Sequence, residues 1–145
     1  MKYIRLYEER LKDFEIMVME PKSLIDELRK EIEKDDYDLD YIKDLLYWGH
    51  FDINTLLIYD REMWTFLTKA ASLNKADIVK VLLEEGADPN EQGHYAFTAL
   101  IKASKEGYSQ VVQELLKHPN IDPNLKDSKG NTALHYASYL SLIHI

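Results

Sequence analysis

Thr65-Phe66-Leu67-Thr68-Lys69-Ala70 decides the fold of this 145-residue chain, because two close copies of it follow downstream. The copies are Thr98-Ala99-Leu100-Ile101-Lys102-Ala103 and Thr132-Ala133-Leu134-His135-Tyr136-Ala137. They return after 33 and then 34 residues, counted from threonine to threonine. A fixed period of this size is typical of one supersecondary unit stacked on copies of itself, and such stacks usually display a long binding surface.

Each unit contains two segments whose apolar residues have helical spacing. In the first unit these residues are Leu67, Ala70 and Ala71, then Ile78, Val79, Leu82 and Leu83. In the second unit they are Leu100 and Ala103, then Val111, Val112, Leu115 and Leu116. Each repeated threonine is placed to open its helix, where the hydroxyl can accept a hydrogen bond from an unpaired backbone N–H.

Turn residues separate these predicted helices. Asn74 and Gly107 stand between the two helices of their units, and both residue types tolerate the left-handed conformation that ends a helix. The second helices are followed by Gly86-Ala87-Asp88-Pro89-Asn90 and by His118-Pro119-Asn120-Ile121-Asp122-Pro123-Asn124. Pro, Asp and Asn stop a helix and favour a turn.

Taken together, these motifs resemble the ankyrin-repeat family. The family pattern matches best from Gly130 to Ala137 and from Lys75 to Asn90. The resemblance implies an all-α solenoid of helix-turn-helix units joined by short β-hairpin loops. Met63 and Ala96 stand where the family has a hairpin glycine, which leaves only Gly130, so we expect the first two hairpins to be less tight.

A degenerate copy of the unit lies upstream. The stretch from Asp38 to Gly49 loosely parallels Asp77 to Gly86, and Asp52-Ile53-Asn54 echoes Asp88-Pro89-Asn90. We expect its first helix to run from Ser23 to about Lys34, with Ser23 as the N-cap. The following loop, Thr55 to Tyr59, has an apolar extension (Leu56, Leu57, Ile58) that we expect to pack against the protein.

The N-terminal segment has the spacing of an amphipathic helix, with apolar residues at Ile4, Tyr7, Leu11, Phe14 and Val18. We expect it to cap the open end of the stack, and the alternative is a helix for dimerisation or partner docking. The predicted organisation is a capping helix at residues 1–22, a degenerate repeat at 23–59, full repeats at 60–92 and 93–126, a truncated repeat at 127–139 and a non-native tail at 140–145.

The pattern breaks after Tyr139. The codons CTG TCT CTT ATA CAC ATC encode Leu140-Ser141-Leu142-Ile143-His144-Ile145, and they resemble the transposase end sequence used as a sequencing-library adaptor. One hypothesis is that the reading frame enters adaptor sequence, so that the natural chain continues beyond Tyr139. The other hypothesis is that residues 140–145 are a short native C-terminus. Without a further helix, we expect Val111, Val112 and Leu115 to be partly uncovered.

Composition excludes several classes of function. The net charge is −8 without a basic stripe, which argues against nucleic acid, and there is no cysteine for a disulfide, thiolate site or nucleophile. The N-terminus lacks a secretory apolar region, and no apolar run is long enough to span a membrane. We therefore expect a soluble cytoplasmic protein.

Motifs for catalysis or for cofactor and metal binding are missing as well. No phosphate loop, nucleophile elbow or histidine pair at ligand spacing occurs, so we expect no catalysis, cofactor or metal. The Asp36-Tyr37-Asp38-Leu39-Asp40 stretch superficially resembles a calcium loop, but Tyr41 and Tyr47 occupy the positions that need Gly and Glu. We interpret it as a solvated turn leading into a helix, and His135 as a structural residue.

By the resemblance, the hairpin tips and the exposed side of each first helix form a groove for a partner protein. The residues carried over by register are Arg61, Glu62, Trp64, Ser72 and Leu73, then His94, Tyr95, Phe97, Lys105 and Glu106, then Ser128, Lys129, Asn131 and Tyr139. Trp64 and Phe97 either bind the partner or cover neighbouring hairpins and stabilise the stack.

The predicted function is protein–protein recognition by a scaffold or adaptor module. The alternative is a regulatory or targeting segment of a larger enzyme or effector, because ankyrin arrays occur in both. We expect a monomer, with a homodimer through the N-terminal helix as the other possibility.

Overall fold

The computed structural model describes residues 15–16, 19–59 and 61–140 of the chain. The chain divides into two compact units, Met1–Asp52 and Ile53–Ile145. Most of the predicted N-terminal helix, including its apolar positions Ile4 to Val18, lies outside the described residues, as does the predicted tail after Leu140. Both assignments stay predictions.

Two helices that pack against each other form most of the described core of the first unit: α1, Pro21–Glu33, and α2, Leu39–Trp48; the buried Ile16 is also part of this core. Their buried faces consist of Leu24, Leu28, Ile32, Ile42 and Leu45. The predicted start of α1 at Ser23 is wrong. Pro21 occupies the first helical position, where its fixed φ favours the helix and its missing N–H costs nothing.

The stretch proposed above as a solvated turn does cap a helix. The Asp38 carboxylate accepts hydrogen bonds from the backbone N–H groups of Asp40 at 3.0 Å and Tyr41 at 3.1 Å. The buried Glu31 carboxylate accepts from the Asp38 N–H at 2.7 Å and from the Lys34 ammonium at 2.5 Å. The acidic residues here fasten the α1–α2 turn.

The second unit begins with an antiparallel ribbon of β1, Leu57–Tyr59, and β2, Glu62–Trp64. Its helices are α3 (Phe66–Ser72), α4 (Ala76–Glu84), α5 (Ala99–Glu106), α6 (Ser109–Leu116) and α7 (Ala133–Tyr139). A short 3₁₀ turn spans His94–Ala96. Helices α3, α5 and α7 pack side by side as one row, and α4 and α6 pack as a second row behind them.

The repeated threonines begin the first row of helices, as predicted. The hydroxyl of Thr65 accepts from the Thr68 N–H at 3.0 Å, that of Thr98 from the Ile101 N–H at 3.1 Å, and that of Thr132 from the His135 N–H at 3.3 Å. Each bond satisfies a backbone donor that the helix itself leaves unpaired. The same local chemistry therefore sets the start of α3, α5 and α7.

Asparagine side chains fasten successive turns to one another. The Asn54 side-chain oxygen accepts from the Asp88 N–H at 2.8 Å, and the Asn90 oxygen accepts from the Asp122 N–H at 2.7 Å. Asn90 also donates through its amide to the Asn120 carbonyl at 2.8 Å. The predicted equivalence of Asn54 and Asn90 is therefore confirmed, because each side-chain oxygen accepts a hydrogen bond from the backbone N–H of the aspartate in the next turn.

The hairpin loops differ from expectation in two ways. Ile58 and Leu56 are 75% and 42% exposed, so the prediction that the Leu56–Ile58 extension packs is wrong, because this segment forms a strand with only one partner strand. The prediction of a looser second hairpin is also wrong. The Ala96 N–H bonds to the Gly93 carbonyl at 3.0 Å, just as the Gly130 N–H bonds to the Asp127 carbonyl at 3.0 Å.

Helix α6 is less exposed than predicted at Val111 and Leu115, and partly exposed as predicted at Val112. Val111 and Leu115, expected to be partly uncovered, are buried because they face α4 and α5. Leu116 is 51% exposed and Val112 is half-buried. The uncovered side of this helix is therefore the side that carries Val112 and Leu116.

Candidate functional site

The predicted binding residues converge on a cavity of about 360 Å³ between the hairpins and the first-row helices, which we call the hairpin groove. Strand β2, the 3₁₀ turn, α5 and the turn before α7 supply its walls. Its lining residues are Glu62, Trp64, His94, Tyr95, Phe97, Lys102, Lys105, Asp127, Ser128 and Lys129.

Most of the predicted site residues line this groove, and six do not. Arg61 is exposed and adopts a left-handed backbone at φ 72° in the β1–β2 turn. Glu106 pairs with Lys102 at 3.5 Å, and Asn131 donates to the Tyr136 hydroxyl at 3.3 Å. The groove lining does not include Arg61, Ser72, Leu73, Glu106, Asn131 or Tyr139.

Trp64 lies between two lysine side chains. The Lys69 ammonium is 5.3 Å and the Lys102 ammonium 5.5 Å from the centroid of the indole ring. The indole N–H donates to the Glu62 carboxylate at 3.1 Å. These contacts fix the ring at the groove wall while leaving it half-buried, so the indole keeps surface for a ligand.

The alternation of lysine and aromatic ring continues along the groove. Lys102 is 5.6 Å from the Phe97 centroid, and Lys105 is 5.1 Å from the same ring. Lys105 also lies 5.9 Å from the Tyr136 centroid. We call Lys69, Trp64, Lys102, Phe97, Lys105 and Tyr136 the lysine–aromatic row.

Tyr95 projects from the tip of the second hairpin. Its backbone is left-handed at φ 53° and ψ 25°, and its side chain is 60% exposed. Its ring meets the His94 ring at 4.0 Å and the Phe97 ring at 6.3 Å, both edge to face. The Tyr95 carbonyl accepts from the Ser128 N–H at 2.8 Å, which joins the second and third hairpins.

A buried carboxylate supports the third hairpin. Asp127 accepts from the backbone N–H groups of Lys129 and Asn131, each at 2.9 Å, and from the Tyr136 hydroxyl. Burial alone would raise the pKa of Asp127, but these hydrogen bonds outweigh it and hold the pKa below its ordinary value. Burial and the Asp127 carboxylate together raise the pKa of Tyr136.

The lysine–aromatic row contains residues that the sequence reasoning missed, namely Lys69, Lys102 and Tyr136. A signal for them was present, because all three occupy the fifth position of the repeated T-x-L-x-x-A motif. That position lies on the side of each first helix that faces the hairpins. Asp127 was missed because a buried, hydrogen-bonded aspartate in a hairpin has no spacing signature of its own.

A second cavity, of about 440 Å³, lies at the α6–α7 edge of the second unit, and we call it the edge groove. It is mainly apolar, and Leu116 and Leu134 on its walls are 51% and 64% exposed. It lies beside α6, at the end of the second row of helices. It is larger than the hairpin groove, but only the hairpin groove contains the residues predicted to bind a partner.

His135 does not have the side-chain hydrogen bond expected of a structural histidine. Its imidazole is exposed and lies 6.1 Å from the Tyr139 ring, with no hydrogen bond to any described residue. Across the described ranges, no group of three or more His, Cys, Asp or Glu side chains is arranged to hold a metal ion. No helix within those same ranges is long and apolar enough to cross a membrane.

Comparison with known proteins identifies the repeats. The family model described as "Ankyrin repeats (3 copies)" matches residues 32–127 and, in a second alignment, residues 67–145. The chain is 39% identical over 74 residues to a probable E3 ubiquitin-protein ligase, XBOS33, of Oryza sativa subsp. japonica, which is 51% of this chain and 14% of the rice protein.

Two further relatives come from other kinds of organism. Alpha-latrotoxin-Lt1a of Latrodectus tredecimguttatus is 34% identical over 79 residues, which is 54% of this chain and 6% of the toxin. The ankyrin repeat domain-containing protein SAT10 of Stachybotrys chartarum is 38% identical over 79 residues, 50% of this chain and 4% of that protein. The chain thus matches only a small part of each relative's length. Since the family model matches well over half of the chain, in register with the helices above, the chain belongs to the ankyrin-repeat family.

Proposed function

We propose that this chain is a protein-interaction module that holds a partner protein in the hairpin groove. Ankyrin repeats are non-catalytic modules for protein–protein interaction. The observation that carries the proposal is the lysine–aromatic row, in which half-buried rings and ammonium groups alternate along one groove. Aromatic residues dominate the energy of many interfaces, so Trp64 and Phe97 are the anchors of the proposed contact.

The proposed module works as a monomeric scaffold or adaptor in the cytoplasm, with no cofactor and no contact with nucleic acid or membrane. The net charge of −8 supports the absence of nucleic-acid contact, because it disfavours the phosphate backbone. A homodimer through the N-terminal helix is the alternative assembly. Comparing the solution mass of the full chain with that of a chain lacking residues 1–22 separates the two.

Substitution of the two anchors tests the proposal. We expect Trp64→Ala and Phe97→Ala each to weaken partner capture by about 2 kcal/mol or more, roughly thirtyfold, while the thermal unfolding midpoint changes little. Quantitative mass spectrometry of proteins captured from a cell extract, beside thermal unfolding of each variant, gives both readouts. Tyr47→Ala is the control, because Tyr47 is an aromatic residue that is 70% exposed and does not line the groove.

The two readouts also decide between the roles of Trp64 that the sequence left open. Capture lost with folding intact supports an anchor for the partner. Unfolding of Trp64→Ala at ambient temperature would show that the indole, held between Lys69 and Lys102, stabilises the stack instead. Unchanged capture in both anchor variants would refute binding through this groove.

A second candidate function is a regulatory or targeting segment of a larger enzyme or effector. The specific observation in its favour is the small share of the relatives that the chain matches, 14% of the rice ligase and 6% of the latrotoxin. The edge groove also offers an apolar surface on which a further helix could pack. Sequencing the source locus beyond the Tyr139 codon tests this: a downstream catalytic motif supports an enzyme, and further repeats support a longer scaffold.

A further inference from the structure

The charges within the hairpin groove have the opposite sign to those of the chain as a whole. Three lysines and two carboxylates line the groove, whereas the complete chain has a net charge of −8. Lys69 adds a further ammonium at one end of the lysine–aromatic row. A cationic groove in an anionic protein attracts an anionic ligand, and the surrounding negative surface disfavours ligands that are not anchored there.

The two carboxylates of the groove already have donors. Asp127 accepts from two backbone N–H groups and from the Tyr136 hydroxyl, so its oxygens have hydrogen-bond donors within the hairpin. Glu62 accepts from the Trp64 indole N–H at 3.1 Å and lies 4.0 Å from the His94 imidazole. Both acids keep their negative charge, and that of Asp127 interacts with Lys129, so the three lysines and two carboxylates of the lining leave the groove a net charge of +1.

Lys105 differs from Lys102 in its partners. Lys102 pairs with Glu106 at 3.5 Å. The Lys105 ammonium lies over Phe97 and Tyr136, and no carboxylate of the described chain is within 4.0 Å of it. A contact between an exposed ammonium and a ring contributes only about 0.5–1 kcal/mol, so a carboxylate can bind this ammonium while the lysine stem stays on the rings.

We propose that the partner segment is acidic: an extended peptide that places an Asp or Glu carboxylate on Lys105 and an apolar or aromatic side chain against Phe97 and Trp64. This inference rests on the proposed function, because it assigns a chemistry to the partner of the same groove. The alternation of ammonium and ring along the row matches a peptide in which acidic and apolar side chains alternate.

Selection from a random peptide library displayed on phage tests this without knowing the partner. The full chain and its Lys105→Gln and Phe97→Ala variants are each immobilised and selected in parallel. We expect peptides recovered on the unmodified chain to be enriched in Asp and Glu relative to the library, and Lys105→Gln to abolish that enrichment. A recovered peptide, synthesised with a fluorescent label, should bind Lys105→Gln about fivefold more weakly in an anisotropy titration.

Lys80→Gln is the matched control, since Lys80 is an exposed lysine on α4 that does not line the groove, and its substitution changes the net charge equally. Binding of the acidic peptide should be unchanged in Lys80→Gln and should weaken as salt concentration rises. Equal losses in Lys80→Gln and Lys105→Gln would overturn the proposal, because the effect would then come from net charge alone.

The outcomes separate this inference from the proposed function. Peptides that depend on Phe97 but show no acidic enrichment, or lose nothing in Lys105→Gln, overturn the acidic assignment and leave the binding groove standing. Peptides that are unaffected by Phe97→Ala overturn the groove itself. A single-stranded DNA oligonucleotide that binds through Lys105 more tightly than the acidic peptide would also overturn the proposal.

Discussion

Tyr95 and Ala96, at the tip of the second hairpin, are consecutive non-glycine residues with left-handed backbones, at φ 53° and φ 57°. A side chain with a Cβ pays about 1–2 kcal/mol for this conformation, which glycine adopts without strain. The turn persists because the Ala96 N–H bonds to Gly93 and the Tyr95 carbonyl accepts from Ser128. The strained backbone of this turn therefore holds the exposed Tyr95 ring at the hairpin groove.

Replacing Ala96 with glycine should relieve part of this strain. We expect Ala96→Gly to raise the free energy of unfolding by about 1 kcal/mol, measured by urea denaturation, with peptide binding to the groove unchanged. Ala103→Gly is the control. Ala103 is buried within α5, so the same substitution there should lower the free energy of unfolding by about 1 kcal/mol or more. A destabilised Ala96→Gly variant would show that the turn is not strained.

The Asp127–Tyr136 contact should make the stability of the third hairpin depend on pH. Because the pKa of Asp127 is lower in the folded chain than in the unfolded chain, its contribution is present above about pH 4 and is lost as the pH falls through the folded-state pKa. We expect Tyr136→Phe to cost about 2 kcal/mol at neutral pH, the usual range for a hydrogen bond to a charged group.

Thermal unfolding at pH 7 and pH 3 measures this effect. The difference between the unmodified chain and Tyr136→Phe should narrow at pH 3, because Asp127 of the unfolded chain is then largely protonated and folding has to release that proton. Glu114→Gln serves as the control, because Glu114 pairs with the exposed Lys117 on a single helix and should contribute under 1 kcal/mol. A difference that is the same at both pH values would contradict the assigned role of Asp127.

Among the elements, the turns between repeats are joined by side chains as well as by helix packing. Asn90 accepts from the Asp122 N–H and donates to the Asn120 carbonyl, so it joins two successive turns. Asn124 has the same place in the next repeat, yet its side chain forms no hydrogen bond to a described residue. Among the described residues, the asparagine of this motif joins successive turns at Asn54 and Asn90 but not at Asn124.

This pair gives a test with a built-in control. We expect Asn90→Ala to lower the free energy of unfolding by about 1–2 kcal/mol, because two backbone groups lose their partner, and Asn124→Ala to change it by less than about 0.5 kcal/mol. Urea denaturation of both variants measures the difference. Equal effects would mean that the asparagine acts within its own turn and not between repeats.

The helices were predictable from sequence because local chemistry determines them. Threonine caps, Asn74 and Gly107 at the turns, and apolar spacing act within a few residues. The start of α1 was misplaced because a favourable N-cap residue, Ser23, competes with a proline at the first helical position. The exposure of Ile58 was missed because burial of a strand depends on what covers it, and that partner is not local in sequence.

The same distinction between local and non-local determinants explains which residues of the candidate site were predictable. The repeat register predicted Trp64, Tyr95 and Phe97 at one groove because the motif itself positions the hairpins. The lysines at the fifth motif position were not predicted to belong to the site, because a lysine on a helix is usually a solvated surface residue. Only the three-dimensional arrangement shows Lys102 between the rings of Trp64 and Phe97.

For the molecule as a whole, the second unit is a stack whose members contact only their neighbours, so its stability depends on how many neighbours each helix has. Helix α5 packs against α3, α6 and α7, whereas α7 packs chiefly against α5. Leu134 on α7 is 64% exposed and faces the edge groove together with Leu116 of α6. The edge next to α7 is therefore the least supported part of the described stack.

Hydrogen exchange should reveal this gradient. We expect amides from about Asp127 to Tyr139 to exchange before those from Leu67 to Leu83, because opening α7 breaks contacts with one main neighbour, whereas α3 and α4 pack against each other and against the next helix of their own row. Mass-spectrometric exchange on the full chain measures both segments at once. Equal protection of the two segments would show that the stack opens as a single cooperative unit.

The same measurement tests the hypothesis that the natural chain continues past Tyr139 with a helix in the edge groove. That helix would give α7 a second neighbour, so the amides from Asp127 to Tyr139 should exchange more slowly in the longer protein than in the 145-residue chain.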